Sequence, residues 1–228
     1  MFALLHDEPG ARAHCTGAPF LLGTLTGSLT RTDVPRLRHT LDALLTPARP
    51  VILDVSRLTV TFPPAVEVLS RTVLAAGGWP AARLVVTGPD PRIRAALRST
   101  GTIRDVVVAD HVEQARSRLG DRPERVRRRL ALRPGTAQRR ARDFVDRAGA
   151  DWDVPHLLPD ARRITEQLVR AAGGPSVLTV TLGEEGLRIA LRDFDTRRRP
   201  RVPTADPRSS WGVTPRSDGS VAWAVVTA

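Results

Sequence analysis

Through its first 119 residues the chain alternates short apolar runs with segments of helical period, a pattern that predicts strands interleaved with helices. Phe20–Thr26, Val51–Val55, Arg83–Thr87 and Val106–Val108 read as strands. Between them, Val34, Leu37, Leu41, Leu44 and Leu45 recur at a spacing of three to four residues, so a helix is expected from a cap at Thr32 or Asp33 to Leu45, stopped by Pro47 and Pro50. Ala65–Ala76 carries enough apolar positions to face a core and ends at Gly77-Gly78. Pro91 opens a further helix to about Thr100, and His111–Leu119 reads as another. The predicted order is β-α-β-α-β-α-β-α.

The pattern changes at residue 120. Gly120–Arg129 is charged and has no apolar period, as linkers tend to be. Beyond it, Ala137–Arg147 and Pro159–Ala172 predict two helices, followed by strands at Val177–Leu182, Leu187–Asp193, Trp211–Thr214 and Val221–Val226. Helices are thus expected before sheet. Thr196–Pro207, rich in Arg and Pro, predicts a loop with little to bury. The expected organisation is α/β throughout, with one domain over 1–119, a linker over 120–129 and a second domain over 130–228.

Composition adds three constraints. The 228 residues carry a formal charge of +11, and all 35 basic residues are Arg, with no Lys and no Asn anywhere. Such a surface attracts phosphate backbones. The runs Arg127–Arg129 and Arg197–Arg199 have no helix-turn-helix, zinc-finger or RNA-binding aromatic signature beside them, however, so a solvated or acidic-partner-facing surface is the expected reading. Cys15 is the only cysteine, which excludes an internal disulfide or thiolate cluster, and the five histidines form no i, i+3 or i+4 pair that would suggest a metal. No apolar run approaches the roughly 20 residues of a membrane span. Apolar Met1–Leu5 is preceded by no basic residues and ends at His6-Asp7-Glu8, so a cytoplasmic location is expected.

The strand Val51-Ile-Leu-Asp-Val-Ser-Arg-Leu-Thr-Val-Thr, the later Arg83-Leu-Val-Val-Thr-Gly-Pro, and Ala96-Leu-Arg-Ser-Thr-Gly before the last strand resemble, in that order, the STAS domain of anti-sigma factor antagonists. The resemblance spans about residues 17 to 119, with Asp54, Ser56 and Thr59 fitting its strand motif. It implies a mixed sheet with helices and a regulatory Asp-Ser pair at a helix start. That pair aligns with Phe62 and Pro63, and proline has no hydroxyl to phosphorylate. Thr59 and Thr61 are the remaining candidate acceptors, although threonine in a strand is ordinarily only a β-former. Phe62 beside Pro63 is the candidate partner contact if it stands on the surface; the plainer alternative turns its ring into the core.

From Leu130 onward the order resembles the small anti-sigma serine kinases of the GHKL ATPase superfamily, most closely in the Trp-bearing hairpin Trp211-Gly-Val-Thr-Pro-Arg-Ser-Asp-Gly-Ser-Val-Ala-Trp-Ala-Val. Arg139-Arg-Ala-Arg-Asp-Phe-Val with Trp152 resembles the family's first helix and turn, and Ala161–Gly173 its nucleotide-site helix. By that resemblance the catalytic Glu aligns with Arg163, which cannot accept a proton. The magnesium-holding Asn aligns with Gln167, one methylene longer, and Asp193 matches the acid that reads adenine. Phe194, Asp195 and Thr196 replace the glycines after it.

The resemblances imply a protein-binding regulator of a sigma factor/anti-sigma factor partner-switching system, its partner an anti-sigma factor, an antagonist or a sigma factor, with no catalytic residue and no ATP or Mg²⁺ cofactor. Two alternatives differ in class: an ATP-binding anti-sigma serine/threonine kinase, and an Arg-rich nucleic-acid-binding protein.

Overall fold

The computed structural model describes the backbone of residues 2–6 and residues 20–45, 49–172, 174–194 and 209–227. Cys15, Asp195 and the loop expected over Thr196–Pro207 lie outside them. The chain divides into two compact units, Met1–Val126 and Arg127–Ala228.

The first unit holds a five-stranded mixed sheet in chain order: β1 (Phe2–His6), β2 (Leu21–Leu29), β3 (Val51–Val60), β4 (Leu84–Thr87) and β5 (Val107–Ala109). β1 is antiparallel to β2, and the remaining neighbours are parallel. Parallel strands need crossovers, supplied by α1 (Val34–Leu44), α2 (Glu67–Ala75) and α3 (Pro91–Ser99), with α4 (Val112–Ser117) after β5. Buried residues of α1, α2 and α3 close one core with Val51, Leu53, Val55, Leu84 and Val86. Ile52, Val85, Val107 and Ala109 face the other way, onto Ala115 of α4. Alternation along strands covered on both faces explains their continuous apolar runs.

The punctuation seen in the sequence works through backbone geometry. Gly77 (φ +103°) and Gly78 return N–H bonds to Leu74 O and Val73 O, ending α2 in a Schellman motif. At the start of α1, Asp33, one of the two expected residues, stands at the N-cap position, but its side chain makes no cap bond to that helix. It turns back to Thr30, the cap of a short 3₁₀ turn ahead of α1, whose N–H (3.0 Å) and hydroxyl (2.6 Å) both donate to Asp33 Oδ2. These bonds, the Thr30 hydroxyl first, hold the Asp33 carboxyl below its ordinary value of 3.8. Because the folded value is depressed, the stabilisation is complete above the unfolded value and disappears as pH falls through the folded one. Asp33→Asn should therefore unfold more readily than wild type at pH 7 in urea titrations, and the difference should shrink as pH is lowered below 3.8.

In the second unit, α5 (Ala137–Asp151) and α6 (Leu158–Ala171) lie on one face of a five-stranded sheet of order β6-β7-β8-β10-β9. Its strands are β6 (Val126–Leu132), β7 (Ser176–Gly183), β8 (Gly186–Asp193), β9 (Ser209–Arg216) and β10 (Gly219–Val226), with β7, β8, β10 and β9 antiparallel to one another in that order. Strict alternation in β7 buries Leu178, Val180 and Leu182 and leaves Val177, Thr179 and Thr181 half-buried on the opposite face. α5 ends with Asp153 in the left-handed region (φ 57°), Asp153 N–H bonding Ala150 O and Val154 N–H bonding Gly149 O. Asp tolerates that conformation better than most residues.

Two expectations are corrected here. Residues 126–129, expected in a linker, form the first half of β6, so a strand precedes the helices. The three arginines hid it: Arg128 lays its stem along Trp152, guanidinium carbon 5.7 Å from the ring centroid, and pairs with Asp151 at 2.6 Å. Upstream, Arg125 is fixed rather than solvated. Its guanidinium forks onto the buried Asp105 at 2.6 and 2.9 Å and reaches Gly101 O, while its N–H bonds Arg104 O at 2.7 Å.

Candidate functional site

Two places carry the residues singled out in the sequence, one in each unit. In the first unit β3 continues past Asp54, the last residue paired with β4, and pairs with β2 alone through Val60. The register between β2 and β3 shifts so that Val55 and Ser56 together oppose Leu25, a bulge. Asp54 Oδ1 accepts the Ser56 N–H at 2.9 Å, as the ladder is disrupted there. Gly88 (φ +67°), after β4, closes over the same point: a Cβ on it would lie 2.9 Å from Ser56 Cβ and 3.2 Å from Asp54 Oδ1. Asp54, Ser56 and Gly88 thus shape the strand end.

Thr61 then anchors the turn, its N–H and hydroxyl each donating to Leu29 O at 3.0 Å. Thr59 is exposed. Phe62 has the extended backbone that a following proline favours (φ −126°, ψ 94°) and packs, half-buried, against the core. Its ring thus lies between the two readings, partly in the core and partly at the surface, while Thr61, Pro63 and Pro64 around it are exposed. The two prolines open a 3₁₀ segment, Pro63–Val66, that leads into α2. Neither has an N–H, so two of the donors a helix start would offer an anion are missing.

In the second unit α6 and β8 bring Arg163, Gln167 and Asp193 to one side of the sheet. Arg163 is half-buried and pairs with Asp160 one turn earlier, Nη2 to Oδ1 at 3.0 Å. Gln167 is half-buried with its carboxamide oxygen buried and without a hydrogen-bond partner among the described residues. Asp193, 7% exposed, ends β8 opposite Ser220 of β10 and Ser176 of β7. The cavity beside it, lined by Leu168, Ala172, Leu191, Ser220 and Ala222, has a volume of about 10 Å³. That is space for about one water molecule and far too little for a purine.

Neither Arg163 nor Gln167 lines this small cavity. A larger one, of about 710 Å³, lies beside it and is lined by Gly135, Gln138, Arg139, Val169, Ala172 and Ser176. No group of three or more His, Cys, Asp or Glu among the described residues is arranged to hold a metal.

Sequence reasoning missed the opposite face of this sheet. There, Arg188 lies over the Trp223 ring, guanidinium carbon 4.6 Å from the centroid, and Arg192 lies over Phe194 at 4.9 Å. Trp223 spreads across Gly212, where an added Cβ would stand 2.7 Å from its Cζ2. The available signal was the two-residue alternation that places Arg188, Ala190 and Arg192 on one face of β8, opposite Leu187, Ile189 and Leu191.

No helix among the described residues is long and apolar enough to cross a membrane. Neither a family model nor a curated protein matches the sequence. Among solved structures, the chain is similar to an anti-sigma factor antagonist from Mycobacterium paratuberculosis, with 15% identity and a TM-score of 0.43 over 53% of this chain and 96% of that one. It is also similar to the anti-sigma factor antagonist SpoIIAA in its unphosphorylated form, at 18% identity and TM-score 0.36 over 51% of this chain and 95% of that one. A serine-to-glutamate variant of RsbS from Moorella thermoacetica is similar at 17% identity and TM-score 0.36, over 51% of this chain and 92% of that one.

Proposed function

We propose that this chain is a non-catalytic, protein-binding regulator of the partner-switching type, in which an STAS-like unit is joined to a unit derived from an anti-sigma serine kinase. Its partner would be an anti-sigma factor, an antagonist or a sigma factor. The reading rests on the ordered sequence resemblance in each half together with the chemistry at the two sites. The observation that carries it is the roughly 10 Å³ cavity at Asp193: the acid that would read adenine stands beside packed side chains. Arg163 supports it from the next position, because a guanidinium paired with Asp160 cannot take a proton from an attacking hydroxyl. Pro63 supports it from the other unit, where phosphoryl acceptance would require an alcohol.

Isothermal titration with Mg-ATP tests the reading. The expected result is no saturable heat up to about 1 mM nucleotide, corresponding to binding weaker than about 4 kcal/mol. Saturable binding tighter than about 100 μM that Asp193→Ala abolishes would replace this reading with the active-kinase alternative. A steep fall of oligonucleotide affinity with salt would instead favour nucleic-acid binding.

A further inference from the structure

The face of the second sheet turned away from α5 and α6 has a build of its own. Val177, Thr179, Ala190 and Val221 floor a shallow cavity of about 480 Å³ that is rimmed by Arg129, Arg192 and Arg216, with Asp218 its one acidic side chain among the lining residues. Arg188 extends the same row, since residues 188 and 192 share a face of β8. Arg188 and Arg192 are each laid flat on an aromatic ring, which restricts the guanidinium and leaves its N–H edge for a ligand. Arg192 is paired with Asp218, yet its Nε is buried with no hydrogen-bond partner among the described residues.

We propose that this face is a docking surface for an extended acidic polypeptide segment with apolar residues between its carboxylates, a proposal that rests on the protein-binding reading above. Three observations favour that occupant. First, the rim is cationic and guanidinium forks match carboxylates two bonds at a time. Second, the floor is apolar, so alternate side chains of an extended strand have somewhere to go. Third, the Cα atoms of Arg188 and Arg192 are about 13 Å apart along the strand, the spacing of residues i and i+4 in an extended peptide. Single-stranded nucleic acid, the other polyanion, needs open aromatic faces for its bases. Here Trp223 lies against Arg188 and Gly212, and Arg192 takes one face of Phe194, so that Phe194, 43% exposed, offers a single open ring on this face.

The test uses the full chain and a fluorescein-labelled peptide of six Glu-Val repeats, read by anisotropy at 50 mM salt. Wild type should bind it at least tenfold more tightly than the Arg188→Gln/Arg216→Gln double variant, and the affinity should fall as salt is raised. Far-UV circular dichroism and the unfolding midpoint of the variant should match wild type; if they do not, Arg129→Gln alone replaces it and should weaken binding at least threefold. A Gln-Val peptide binding as well as the Glu-Val peptide would overturn the proposal. So would unchanged affinity in the folded variants, or a labelled oligothymidylate that binds more tightly than the peptide and loses affinity with the same substitutions. Nucleotide binding in the titration above would remove the non-catalytic reading while leaving the peptide result standing, which separates the two failures.

Discussion

Trp152→Ala is expected to destabilise the second unit by about 3–5 kcal/mol, the usual range for emptying a buried aromatic site. Trp152 is 1% exposed and closes α5, its N–H bonding Ala148 O at 3.0 Å. It is also the surface on which Arg128 of β6 rests, so its loss removes both packing for the core and support for a strand whose first half is three arginines after Val126. Nearly all of that effect should come from volume, since cation–π contacts contribute about 0.5–2 kcal/mol. Trp152→Phe, which restores part of the ring, should therefore recover more than half of the loss. Because two units need not unfold in one transition, the measurement should be urea unfolding combined with amide hydrogen exchange of α5 and α6. Full protection in the alanine variant would show that the indole is not what holds the helix pair to the strand.

Gly219→Val should have a comparable effect through the backbone. Gly219 opens β10 at φ +139°, a region L side chains rarely enter, and an added Cβ would stand 2.0 Å from Asp193 O and 3.0 Å from Phe194 Cα. Those neighbours belong to the main chain of the adjacent strand and cannot swing aside. Strain of about 1–3 kcal/mol and overpacking of about 1–3 kcal/mol sum to about 2–6 kcal/mol. The expected readout is a lowered urea midpoint with the β8–β10 amides exchanging first. Gly174→Val, at a glycine with nothing within 4 Å of its Cβ position, is the control and should cause a much smaller loss.

Most elements of both units were legible because the devices that start and stop them are local. Pro91, Gly77-Gly78 and the alternation of β7 and β8 act within a few residues of where they are read. What escaped depends on partners distant in sequence. β1 is five residues long and becomes a strand only by pairing with Leu25 and its neighbours, some twenty residues on. The second half of β3, Ser56-Arg57-Leu58-Thr59-Val60, looks too polar for a buried strand and is held by β2 on one side only. β6 was hidden by a rule that counts every arginine as solvent-facing, whereas the Arg128 side chain is 13% exposed. At the candidate sites, the lack of a hydroxyl on Pro63 and the fixed positive charge of Arg163 were legible in the letters. The direction of Phe62 and the collapse of space beside Asp193 were not, because both depend on which side chains arrive from elsewhere.

The bond between Arg125 and Asp105 decides where this gene can be cut. A fragment ending at residue 119, where the letters suggest a boundary, would keep a sequestered carboxylate and discard the cation that neutralises it, so that its insolubility would say nothing about whether the first half folds alone. A stop codon placed after Val126 retains the counter-ion and gives that question a fair answer.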